Sequence, residues 1–101
     1  MPTPQIALPV DQIVTFCRKW RITELSLFGS VLRDDFRPDS DVDVLVSFTA
    51  DTHWSLYDWV GMQAELKSVL GREVDLVDKG GLSNPFRRHA ILTTRQVIYA
   101  A

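Results

Sequence analysis

With 101 residues and 46% hydrophobic content, including three Trp and five Phe, the chain has the size of one ordinary domain, 1–101, without room for two. Its apolar side chains are enough for a core covering roughly 65% of the unfolded surface, which excludes disorder and removes any need for staples; the one cysteine, Cys17, excludes a disulfide framework and a cysteine-rich zinc site and fits a reducing, cytoplasmic setting. A net charge of -2 argues against direct binding of nucleic acid by bulk electrostatics and points to small anions bridged by metal, or to another protein, as partners.

Residues 1–8 are Pro-rich and read as a loosely ordered lead-in, without the positive charge that opens a secretory signal. Pro9 suits an early helix position, and Ile13, Val14, Phe16, Cys17 and Trp20 follow at helical spacing, which predicts a helix over about 10–20. Leu25 and Leu27 alternate with polar neighbours in a strand that ends at Gly29. Ser30 reads as an N-cap for one or two helical turns over Val31 to Phe36. Arg37-Pro38-Asp39-Ser40 is turn chemistry.

Val42, Val44, Val46 and Phe48 then form a second strand. A longer helix is expected over about 54–70, with Gly71 as its C-cap. Glu73 to Val77 reads as a third strand and Lys79-Gly80-Gly81 as a loop. Asn84-Pro85 opens a last helix by the cap-then-Pro signal, and Val97-Ile98-Tyr99 reads as a short closing strand. No apolar run approaches the ~20 residues of a membrane helix. The order predicts a layered α/β (α+β) domain, a mixed sheet of three to four strands flanked by helices.

Side chains two apart on a strand share a face, so Asp41 and Asp43 point together with Cα atoms roughly 6.5 Å apart. Asp75, on the third strand, can join them if the two strands are neighbours. Such a cluster repels itself, and without a cation at least one of its pKa values should rise. Oxygen donors without His or Cys favour Mg²⁺, or Mn²⁺, over zinc. Two such ions suit the transfer of a nucleotide with release of pyrophosphate. Gly29 lets the main chain come near phosphate, and Ser30 at a helix start favours an anion.

The run Gly29-Ser30, ten residues, Asp41-x-Asp43 resembles the signature of the DNA-polymerase-β-like nucleotidyltransferase superfamily. The short length and Arg72-Glu-Val-Asp-Leu-Val77 resemble its minimal nucleotidyltransferase branch, the MntA-type antitoxins, over nearly the whole chain. The resemblance implies that Asp41, Asp43 and Asp75 are catalytic and hold metal, and that Gly29, Ser30 and Arg33 contact the nucleotide. It implies ATP as substrate and a HEPN-domain ribonuclease toxin as partner, silenced by transfer of AMP to a hydroxyl, a tyrosine in related members. The chain departs from the usual branch pattern at Val31-Leu32 and Asp34-Asp35, where smaller, Gly-containing sequence is common.

The rival reading is a binding module that neutralises the toxin by complex formation alone. The costly acid cluster argues against an idle site. Other residues have plainer explanations. Trp54, Tyr57 and Trp59 read as core of an amphipathic helix before a stacking face. His53 and His89 lack metal spacing. Arg87, Arg88 and Arg95 read by default as a charged helix face, with contact to triphosphate or to the partner as the alternative. Cys17 reads as core, and Asp34, Asp35 and Asp39 as turn or helix-end acids, Asp39 with the alternative of holding the loop before Asp41.

Overall fold

The computed structural model describes residues 8–33, 37 and 40–101. Most of the lead-in, with Asp34, Asp35, Phe36, Pro38 and Asp39, lies outside the described residues.

The first helix, α1, spans Val10–Lys19. Pro9 stands at its N-cap, one place earlier than expected. Lacking an N–H, it contributes only its carbonyl, which accepts from the Ile13 N–H at 3.0 Å. Strand β1 is Ile22–Phe28, β2 Val42–Phe48, β3 Val74–Asp78 and β4 Gln96–Ala100. They form one mixed sheet in the order β3-β2-β1-β4. β1 runs antiparallel to β2 and β4, while β2 and β3 are parallel.

A parallel pair needs a crossover, which helix α2, Leu56–Leu70, supplies. A capping box starts it: the Asp58 N–H donates to Ser55 Oγ at 3.1 Å and the Ser55 N–H to Asp58 Oδ2 at 3.0 Å. Gly71, with φ +68°, ends it as expected. Helix α3, Pro85–Thr94, begins where Asn84 Oδ1 accepts from the N–H groups of Phe86 and Arg87.

The alternation of β2 divides the core. Val42, Val44 and Val46 are fully buried beside Val74 and Leu76 of β3, against Ile13, Phe16 and Cys17 of α1 and Met62 and Leu66 of α2. Burial pushes the Cys17 thiol up to about 12, as a core thiol requires. Glu65 ties the two helices together by accepting from Lys19 Nζ at 2.9 Å and from Trp20 Nε1 at 3.0 Å.

On the other face of the sheet, Phe28, Leu45, Leu82 and Ile91 form a smaller cluster under α3. Trp54 and Trp59 are half-buried in edge-on contact with Phe48, whereas Tyr57 is exposed. Among the described residues no helix is long and apolar enough to cross a membrane.

Candidate active site

The shared direction of β2 and β3 puts the acids at one end of the α3 face. Asp43 and Asp75 are register partners, on strands ~4.8 Å apart. Their neighbours on that face, Leu45 and Val77, are also partners and lie under α3. Asp41 stands just before β2, held there as the Val42 N–H donates to the Glu73 carbonyl at 2.8 Å. Asp43 is half-buried; Asp41 and Asp75 are exposed.

The expected repulsion is present. Burial, then the charge of Asp75, then that of Asp41, raise the Asp43 carboxyl above the ordinary carboxylate value. Arg87 and Arg33 pull it the other way. The three carboxylates therefore share one electrostatic field. Among the described residues, however, no group of three His, Cys, Asp or Glu side chains is already gathered to hold a metal ion.

Gly29 follows β1 and has φ +76°, a conformation that favours glycine. A side chain there would overlap the Asp43 carboxylate, because the ideal Cβ lies 3.3 Å even from Asp43 Cγ. The turn thus presses bare backbone against the acid.

Ser30 departs from expectation. It lies inside a 3₁₀ turn, Gly29–Leu32, whose N-cap is Phe28, with no side-chain cap. The left-handed step at Gly29 turns the chain too tightly for a cap at Ser30, so the anion-favouring helix start expected there is not formed. Ser30 instead offers its carbonyl to the Arg33 N–H at 2.9 Å.

Sequence reasoning discounted Arg87. Of the basic residues grouped with it, Arg88 donates to the Lys79 carbonyl at 3.0 Å and Arg95 pairs with Glu24 at 3.2 Å. Both brace the fold, while Arg87 alone of the three reaches the acid electrostatically. Its signal lay in the packing of α3, not in residue spacing.

Residues 10–98 match the profile of the nucleotidyltransferase domain family. The chain belongs to that family. Among relatives, the protein adenylyltransferase MntA of Thermococcus cleftensis is 33% identical over 95 residues, covering 89% of this chain and 91% of that protein. The crystal structure of a toxin–antitoxin with AMP-PNP superposes with a TM-score of 0.74 at 25% identity, covering 93% of this chain and 75% of that chain. A Shewanella oneidensis complex of a tri-AMPylated HEPN toxin with an MNT antitoxin superposes with a TM-score of 0.66 at 24% identity. It covers 91% of this chain and 70% of that chain, a likeness of fold. The nucleotidyltransferase assignment agrees with the mixed sheet and its flanking helices.

Proposed function

We propose that this nucleotidyltransferase transfers AMP from ATP to a hydroxyl, a tyrosine in our reading, of a partner HEPN ribonuclease toxin and thereby neutralises it. The observation that carries the proposal is the register pairing of Asp43 with Asp75 beside the bare Gly29 turn. The adenylyltransferase relative and the AMP-PNP-bound toxin–antitoxin support AMP as the group moved. The tri-AMPylated HEPN toxin of the Shewanella complex supports the class of acceptor. In this proposal the activity is cytoplasmic, where ATP is at hand, and is carried by one minimal domain.

The donor set fits a hard cation. Asp41, Asp43 and Asp75 offer only oxygen, and the Asp43 carboxyl is raised first by burial and then by the charges of Asp75 and Asp41, a repulsion that a divalent ion relieves. When bound, Mg²⁺ supplies charge neutralisation of the triphosphate and of the departing pyrophosphate. Asp41 and Asp43 would hold it with Asp75.

The chain's own residues do the positioning. Gly29 and Ser30 bring backbone to the phosphates, and Arg33 adds positive charge at the same turn. The acceptor oxygen bonds to the α-phosphorus as the bond to pyrophosphate breaks. The hydroxyl proton leaves toward Asp75, a carboxylate open to solvent.

The test is to incubate the chain with a candidate HEPN protein, ATP and Mg²⁺ and to look for AMP adducts by intact mass. Wild type should modify the partner. An Asp41→Asn/Asp43→Asn double variant should bind it without doing so. A wild type that binds but leaves the partner unmodified would sink the proposal in favour of neutralisation by binding alone.

A further inference from the structure

Helix α3 packs on the acid-bearing face of the sheet through Ile91, its one buried residue, which is 6% exposed and clusters with Phe28 and Leu45. Phe28 is the register partner of Asp43, and Leu45 lies two residues along the same strand. Arg87 sits one helical turn before Ile91, on the same helix face. It stands in the first turn of α3 on the face that packs on the sheet, and its charge acts on Asp43.

Its side chain is exposed, and among the described residues it makes no side-chain hydrogen bond or ion pair, unlike Arg88 and Arg95. A guanidinium whose charge acts on Asp43 without an ion pair to it is poised for another anion. Its reach also differs from that of Arg33. Arg33 follows the turn after β1, whereas Arg87 comes from α3, so the two cations act on Asp43 from separate elements.

We infer that Arg87 is a substrate-binding residue that grips the leaving pyrophosphate portion of the nucleoside triphosphate from the α3 side of the site. A planar guanidinium matches phosphate oxygens with two parallel hydrogen bonds, and the β- and γ-phosphates carry most of the charge that must be held and released. The inference rests on the nucleotide-transfer reading. It adds a residue that the Gly-Ser and Asp-x-Asp signature does not contain.

Calorimetric titration with ATP·Mg²⁺ and with AMP tests it on wild type, Arg87→Gln, Arg87→Lys and the remote charge control Arg18→Gln. Arg87→Gln should weaken ATP binding about tenfold or more while leaving AMP binding unchanged. Arg87→Lys should fall between it and wild type, and Arg18→Gln should match wild type.

Wild-type ATP affinity in Arg87→Gln, or equal weakening of ATP and AMP, overturns the inference while the nucleotide-transfer reading stands. Failure of wild type to bind ATP at all overturns both. Should Arg87→Gln not fold, Arg87→Lys decides: unchanged ATP affinity refutes the grip, and a selective loss for ATP over AMP upholds it.

Discussion

Gly29 and Asp43 are held so close that any side chain at position 29 must displace the Asp43 carboxylate. Two separate costs follow for Gly29→Ala. The φ of +76° costs an L-residue about 1–2 kcal/mol. The overlap falls on the free end of the Asp43 side chain, which can rotate away, so it harms the site more than the fold. Gly71 provides the control, with φ +68° and no atom within 4 Å of the place an added methyl would take. Gly29→Ala and Gly71→Ala should lose similar stability in thermal unfolding, but only Gly29→Ala should lose AMP transfer.

Asp43 should be worth less to the metal-free fold than the asparagine that replaces it. Its carboxyl is raised by burial and by Asp75 and Asp41, so the folded chain takes up its proton more readily than the unfolded chain. Such a group favours folding below its ordinary value of 3.8 and loses that contribution as pH rises through the raised value. At neutral pH, without metal, Asp43→Asn should therefore melt above wild type, and the gap should close as the solution is acidified. Mg²⁺ should raise the unfolding midpoint of wild type and not that of the variant. A variant that melts below wild type at pH 7 without metal contradicts the electrostatic account.

The acid pair was legible in the sequence because strand alternation is a local rule. It places Asp43 opposite the Val42–Val44–Val46 side, whatever the rest of the chain does. The parallel pairing that sets Asp75 against Asp43 was accessible as a condition, since α2 between the two strands is long enough for a crossover. Ser30 was misread because cap chemistry assumes that a regular helix follows. The left-handed Gly29 gives a 3₁₀ turn instead, so the hydroxyl has no helix to cap. Arg87 was hidden for a different reason: its position depends on Ile91 docking onto Leu45 and Phe28. That contact joins residues far apart in the chain and leaves no periodic trace.

Asp75 should matter to the reaction and little to the fold. It is exposed, and an exposed acid replaced by its amide usually changes stability by less than about 0.5 kcal/mol. Removing it also removes one of the charges that raise Asp43, which leans toward a small gain. Loss of a proton acceptor for the attacking hydroxyl is worth about 100-fold or more in rate. Asp75→Asn should thus keep its unfolding midpoint while initial rates of adduct formation collapse. A rate within a few-fold of wild type would remove Asp75 from the catalytic set.

Cys17 tests the other face of the sheet. It is fully buried between α1 and the strands, and its thiol is pushed up to about 12 by burial, so almost no thiolate forms near neutrality. A thiol reagent at pH 8 should not label the native chain, and labelling should follow the rate at which the chain opens. Cys17→Ser puts a hydroxyl where apolar side chains surround it, at a cost of about 1–3 kcal/mol. For a domain of this size that lowers the unfolding midpoint by roughly 4–8 °C per kcal/mol. AMP transfer per folded molecule should be unchanged, because Cys17 packs against Val42, Val44 and Val46, on the face of the sheet opposite Asp43 and Leu45. Rapid labelling of the folded chain would show that the α1 face opens on its own, independently of the site.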